Sequence, residues 1–236
     1  ARESGSVEAL SRAYGGLATC YVAIGDSAQG LACIEEAREL TQEMAGVPMT
    51  ATLSFFVGLT AIRLALAGAP GSGIDLLQRS IRDMSMVLPQ AVPIGNSWLS
   101  LTLLLAGDVA GARRLFPAEP EQLLARAPAN IYWIGALLIK AGEVEAATRF
   151  LTALLESNTG SRLYPGYQRP VLALAHAGLA LLTQDAASAA IAAELAGLAA
   201  QVRNMQTDLL RALIALLSVE PGGEILSPVR AALASA

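Results

Sequence analysis

The fold is first visible in one stretch near the amino terminus, Tyr14-Gly15-Gly16-Leu17-Ala18-Thr19-Cys20-Tyr21, which is soon followed by Gly25-Asp26. Its apolar residues recur at three- and four-residue intervals, which is typical of a helix. A glycine after the last helical turn can take the left-handed conformation that ends the helix, and an aspartate beside it favours the start of the next one. The stretch therefore predicts two helices joined by a tight turn.

The same kind of break recurs along the chain, at Gly25-Asp26, Gly68-Ala69, Gly107-Asp108, Gly142-Glu143 and Gln184-Asp185. Successive breaks are separated by 43, 39, 35 and 42 residues, and spacings of this size predict a repeated structural unit. The predicted helix pairs cover residues 7–44, 49–86, 97–116, 130–157 and 169–205, with further helices in 207–236. We expect a single helical-repeat domain over residues 1–236.

The pattern resembles the tetratricopeptide repeat. In that family, large and small apolar residues alternate in a fixed order along two helices, and the matching residues here are Tyr14, Leu17, Ala18, Tyr21, Gly30, Ile34 and Ala37. A second copy matches from Ile131 and a third around Leu99, although the period is longer than the family's usual 34 residues. The resemblance implies an all-α fold, a right-handed α-solenoid of about five antiparallel helix pairs.

In the family, the first helix of each pair lines a concave groove that contacts a peptide. The resemblance implies groove contacts from three copies, at Arg12, Gly15, Thr19, Val22, Phe55, Gly58, Ile62, Tyr132, Ala136, Ile139 and Lys140. Two further candidates have other origins: Arg169 lies in the predicted long connection 158–170, and His176 is the sole histidine. A second predicted connection covers residues 117–128. For Tyr132, Trp133 and Trp98, a place in the core and a place in an aromatic recognition patch both remain open.

Composition argues against several kinds of site. The formal net charge is −4, and no run of basic residues exceeds Arg113-Arg114, so we expect no direct contact with nucleic acid. Prolines and polar residues interrupt the longest uncharged stretches, so we expect no membrane span. One histidine and the cysteines Cys20 and Cys33, without a paired spacing, predict no metal site. We also expect no cofactor and no catalytic residues, because the chain has no phosphate-binding loop and its paired acids suit helix surfaces.

These observations favour a non-catalytic, cytoplasmic interaction scaffold whose partner is a protein or peptide. The texture of the helices resembles arrays found in large bacterial signalling ATPases and LuxR-type regulators, and the first residue is not Met, so we expect a segment of a longer protein. The alternative is an effector-sensing domain that binds a small molecule in the groove. An enzyme remains an option only if another chain supplies the chemistry.

Overall fold

The computed structural model describes residues 6–47, 49–116, 132–158, 165–202 and 204–235, and these ranges contain helices and no β-strand. The chain divides into two compact units, Ala1–Leu115 and Phe116–Ala236. The all-α prediction is confirmed. The single domain over 1–236 stays a prediction, and each unit is described by itself.

The described residues of unit 1 form six α-helices. Their bounds are α1 Val7–Ala23, α2 Ser27–Ala45, α3 Ala51–Leu66, α4 Pro70–Val87, α5 Val92–Leu105 and α6 Val109–Arg114, with a short 3-10 helix at Pro89–Ala91. The helix α5 begins earlier than the predicted Ser97, because Pro93 falls in its first turn, where a missing backbone N–H costs nothing.

Unit 2 contains six more α-helices among its described residues. Their bounds are α7 Ile134–Lys140, α8 Val144–Asn158, α9 Pro165–Thr183, α10 Ala186–Ala200, α11 Met205–Ser218 and α12 Ser227–Ala234, with a 3-10 helix at Gly223–Leu226. The helix α9 begins at Pro165, so the later part of the predicted 158–170 connection is helical and includes Pro170. The predicted connection over 117–128 lies outside the described residues.

The tight turns share one hydrogen-bonding pattern. Gly25, Gly68, Gly107 and Gly142 all have positive φ, between +74° and +92°. In each turn, the residue after the glycine donates its backbone N–H to a carbonyl five residues earlier, as in Asp26 to Tyr21 and Asp108 to Leu103, both 2.9 Å. This is the Schellman arrangement, which satisfies carbonyl groups that a helix end leaves without partners.

The fifth turn forms without a glycine. Gln184 takes a φ of +54°, the one positive φ at a non-glycine position among the described residues. Its side-chain Nε2 donates to the Leu181 carbonyl oxygen at 2.8 Å, and Asp185 donates its N–H to the Ala180 carbonyl oxygen. The side-chain bond holds the glutamine in a backbone region that β-carbon sterics disfavour.

Aspartates after these turns cap the following helices. Asp26 accepts from the Gln29 N–H at 3.0 Å, and Asp108 accepts from the Gly111 N–H at 2.8 Å. Hydrogen bonds from the Ser188 hydroxyl, the Ser188 N–H and the Ala187 N–H lower the pKa of Asp185. The acids therefore satisfy backbone donors at helix starts, which is the structural role expected of an N-cap.

Candidate interaction surface

The helix α3 lies at the centre of unit 1. It packs against α1, α2, α4 and α5, and it buries Leu53, Val57, Ala61 and Leu64 completely. Within this unit the contacting pairs are α1 with α2, α3 with α4, and α5 with α6. Their first helices, α1, α3 and α5, meet in chain order, because α1 contacts α3 and α3 contacts α5. Any surface formed by first helices in unit 1 therefore has α3 in the middle.

Two glycines allow these helices to approach closely. A β-carbon built on Gly15 of α1 would overlap the ring of Phe56 on α3, and one built on Gly58 of α3 would overlap the indole of Trp98 on α5. Each glycine thus receives an aromatic side chain from the next first helix. The register implied by the resemblance placed Gly15 and Gly58 in an open groove, whereas the structure buries both.

Beside these contacts, unit 1 exposes apolar side chains. Phe55 is 49 % exposed and Ile94 is 56 % exposed. The ring of Phe55 packs edge-on against Phe56 and Trp98, with centroid distances of 5.7 and 5.8 Å. Ile94 and Trp98 are four residues apart on α5 and therefore share a helix face.

Arg12 is an exposed positive charge on α1. On α1 it lies between Glu8, which accepts a hydrogen bond from the Thr52 hydroxyl, and Gly15, which contacts Phe56. Phe55 lies between Thr52 and Phe56 on α3, so Arg12 and Phe55 are at the same level of the two helices. We call the surface formed by Arg12, Phe55, Ile94 and Trp98 the aromatic face.

Thr19 and Ile62 take different places. Thr19 is partly buried, and its hydroxyl donates to the Gly15 and Gly16 carbonyl oxygens of its own helix at 2.7 and 3.1 Å. Ile62 is only 4 % exposed, and Val22 is also buried, against Gly30. Among the candidates from unit 1, Arg12 and Phe55 are exposed, whereas Thr19 is partly buried and Ile62 is buried.

In unit 2 the first helices meet differently. The helix α9 packs against α7, α8, α10 and α11, as α3 does with its own neighbours, but α7 and α11 also contact each other. The Tyr132 hydroxyl donates to Gln206 Oε1 at 2.7 Å, and Lys140 forms an ion pair with Glu220, just after α11. Polar contacts thus tie both ends of α7 to α11 and the residues beside it.

The candidates on α7 and just before it are consequently packed inward. Tyr132, Ala136 and Ile139 are all buried, and Trp133 beside them is buried against Phe116, at 5.3 Å between ring centroids. The sequence left open whether Tyr132 and Trp133 lie in the core or in an aromatic recognition patch, and the structure places both in the core. Trp98 belongs to both the core and the exposed surface, because it is partly buried over Gly58 and still contacts the exposed Phe55.

Arg169 and His176 lie on one side of α9. With Leu172, Leu179 and Thr183 they form a stripe of partly or fully exposed residues at three- and four-residue spacing. The Nδ1 atom of His176 is buried and has no hydrogen-bond partner among the described residues. Burial lowers the pKa of this imidazole, because the charged form loses its hydration.

Other polar residues serve the packing of helices. Arg38 of α2 pairs with Asp83 of α4, and Glu35 pairs with Arg79 at 2.8 Å. Burial also raises the pKa of the Cys33 thiol, so this side chain stays protonated. Within the described ranges, no group of three His, Cys, Asp or Glu residues is placed to hold a metal ion.

Sequence patterns did not identify Ile94 as part of the aromatic face. Ile94 falls in a Pro-containing segment that the spacing predicted to precede a helix, and its exposure depends on α5 starting at Val92.

None of the helices in the described ranges combines the length and apolar composition needed to cross a bilayer. Comparison with protein-family models, curated proteins and solved structures finds no match for this chain.

Proposed function

We propose that this chain is a non-catalytic interaction scaffold, the cytoplasmic segment of a larger bacterial signalling or transcription-regulating protein. In this proposal its helices form a right-handed solenoid of antiparallel pairs of the tetratricopeptide kind. The repeated environment of α3 and α9 supports serial stacking, because each packs against the two helices before it and the two after it. The recurring Schellman turns support the same repeat.

The observation that carries the proposed function is the aromatic face. Apolar side chains that are exposed next to one another on a folded surface can mark a contact site for another macromolecule. Phe55 and Ile94 are each about half exposed, next to an indole held in place by Gly58. Aromatic residues and arginine are also the residue types that contribute most to binding at protein interfaces.

A protein partner is favoured over a small-molecule effector by the packing of unit 2. A ligand site beside Tyr132 would need space there, but this residue is 2 % exposed and hydrogen-bonded to Gln206. The helix α11 occupies that side of α7. The surface of unit 1 is exposed instead, and it has few polar groups with which to orient a small ligand.

Hydrogen exchange tests the proposed function. The chain is used to isolate a bacterial protein partner, the complex is rebuilt from purified components, and amide exchange is compared with that of the free chain. We expect slower exchange in α1, α3 and α5, and an unchanged rate in α8. If no protein complex can be rebuilt while a metabolite raises the thermal midpoint, the effector-sensing alternative replaces the scaffold.

A further inference from the structure

The side of α1 that points away from α3 carries no charge. Ser11 and Gly15 meet α3 on the other side, where Ser11 accepts a hydrogen bond from the Thr50 hydroxyl and Gly15 contacts Phe56. Both charged residues of α1, Glu8 and Arg12, lie toward that side as well, because Glu8 accepts from the Thr52 hydroxyl and Arg12 follows one turn later. The uncharged side, which we call the outer stripe, consists of Ala9, Ala13, Gly16, Leu17, Cys20 and, just after the helix, Ile24.

The outer stripe differs from the exposed side of the neighbouring helix. Leu17 is 48 % exposed and Ile24 is 78 % exposed, and a β-carbon built on Gly16 has nothing within 4 Å. The exposed side of α2, in contrast, carries Glu36, Glu39 and Glu43. A helix at the end of a stack needs polar residues where it faces water. The outer stripe lacks them, so it has the composition of a contact surface.

The spacing of the outer stripe is symmetric about its middle. Counted outward from Gly16-Leu17, the next member is three positions away in both directions, and the outermost member is a further four. The first half of the stripe contains only small residues, and the second half contains the larger ones. If a second α1 lies antiparallel with its middle at the same level, each larger residue lies across from a smaller one, in the pairs Leu17–Gly16, Cys20–Ala13 and Ile24–Ala9.

Unit 1 already contains contacts of this kind. Phe56 packs against Gly15, and Val22 of α1 packs against Gly30 of α2. In both contacts a residue without a side chain makes room for a larger one, so the two helices approach closely. The outer stripe offers both kinds of surface on one helix. Two copies of it also bring no like charges together, because the stripe has none.

From these observations we infer that the outer stripe is the contact surface of a homodimer. In this dimer α1 packs antiparallel against α1 of a second copy, about a two-fold axis near Gly16 and Leu17. Such an axis lets one self-complementary surface serve both copies. The inference does not rest on the proposed function, since it concerns the assembly of the chain and uses the side of α1 opposite α3.

Sedimentation equilibrium of the purified chain over a range of concentrations tests the inference. We expect wild type to dimerise and Leu17→Glu to raise the dimer Kd about a hundredfold or more, because the axis brings two carboxylates together in an apolar contact. Ile24→Glu, further from the axis, should raise Kd about tenfold. Met86→Glu is the control, because it adds the same charge at a side chain that is 72 % exposed on α4 and should leave Kd unchanged.

Oxidative cross-linking tests the antiparallel register. Ala13→Cys places a thiol across from the native Cys20 of the second copy, so a disulfide-linked dimer is expected. Wild type should not cross-link, because its two Cys20 residues would lie about 10 Å apart along the helices, and the same separation prevents a bond between residues 13 and 20 of one copy. Ala51→Cys, exposed on α3, is the matched control and should remain monomeric on a denaturing gel.

Each result supports or overturns the inference. Circular dichroism first checks that every variant is folded, and Ile24→Glu provides the readout if Leu17→Glu unfolds. A chain that is monomeric at every concentration overturns the inference and leaves the outer stripe to another segment or partner. A dimer that is indifferent to both glutamates, or that cross-links through Cys20 to Cys20 with no gain from Ala13→Cys, overturns it as well. The proposed function stands in each case, since the partner complex tests it separately.

Discussion

Units 1 and 2 pack similar sets of helices around a central helix in different ways. Each places a first helix, α3 or α9, among four neighbours. In unit 1, an aromatic ring packs against a glycine wherever successive first helices meet, at Gly15 and at Gly58. In unit 2 the outer first helices, α7 and α11, contact each other directly, and a hydrogen bond and an ion pair join them.

This difference in packing determines which apolar side chains stay exposed to solvent. Where α7 and α11 meet, Tyr132 is removed from solvent and bonded to Gln206, and it cannot serve a partner without rearrangement. Where α1 and α5 are both held by α3, Phe55 and Ile94 stay half exposed. Similar neighbours around a central helix thus leave a contact surface in one unit and a filled interior in the other.

The largest expected effect concerns the glycines of unit 1. Gly58→Ala forces a methyl group into the indole of Trp98, and overpacking of this kind costs about 2 kcal/mol of unfolding free energy. Gly15→Ala should act in the same direction through Phe56. Gly16→Ala is the matched control, because nothing lies within 4 Å of its added methyl, and it should stabilise by about 1 kcal/mol. Denaturant unfolding measures all three, and equal effects at Gly15 and Gly16 would contradict the ring-on-glycine contact.

The next effect compares two buried threonines. Thr207 of unit 2 donates its hydroxyl hydrogen to the Val202 or Ala199 carbonyl oxygen, at 2.8 and 3.1 Å, whereas the Thr60 hydroxyl of unit 1 has no partner among the described residues. Removing a satisfied hydroxyl loses a hydrogen bond, but removing an unsatisfied one relieves a desolvation cost. We expect Thr207→Val to destabilise and Thr60→Val to stabilise, each by about 1 kcal/mol.

Thermal and denaturant unfolding of the two threonine variants give the readout. Valine has nearly the shape of threonine and a similar helix propensity, so the hydroxyl is the main difference. A loss of stability in Thr60→Val would mean that its hydroxyl makes a contact that the structure lacks.

An effect of comparable size is expected from the ion pair in unit 2. The side chains of Lys140 and Glu220 are only 17 % and 24 % exposed, which reduces screening by water and salt. A double-mutant cycle with Lys140→Met and Glu220→Gln should give a coupling free energy of about 1 kcal/mol. The more exposed pair Asp208–Arg211, at 36–42 % exposure, is the control and should give about 0.3 kcal/mol. Coupling no greater than that of the control would mean that this pair does not help to hold α11 against α7.

The smallest effect is a pH dependence from His176. Its pKa is lowered by burial, so the unfolded chain, with a pKa near the ordinary 6.5, takes up a proton first as the pH falls. The stabilising contribution of the neutral imidazole is complete above pH 6.5 and is lost as the pH falls from there through the lower folded pKa. Wild type should lose more stability than His176→Gln between pH 7.5 and 5 in denaturant unfolding. Parallel pH profiles would show that the imidazole is hydrated in the folded unit.

Residues that act within their own helix turn could be predicted from the sequence. The glycines that end helices and the aspartates that begin them need only their neighbours in the chain, and Gly25-Asp26 and Gly107-Asp108 have the expected φ values and caps. Helical spacing likewise predicted the all-α fold, because the apolar face of a helix recurs with its own period. The earlier start of α9 at Pro165 shows the limit, since proline is tolerated in a first turn that spacing alone does not reveal.

Only the tertiary structure decided which side of each helix remains exposed. The register implied by the resemblance places Gly15, Gly58 and Ile62 on a surface, but all three are buried, and the two glycines are covered by Phe56 and Trp98 of neighbouring helices. Tyr132 is buried because α11 returns to α7 from more than seventy residues away in the chain, where Gln206 accepts its hydroxyl hydrogen. Helical periodicity determines that a side faces a neighbour or solvent, but the distance and angle at which two helices meet depend on side chains from both of them.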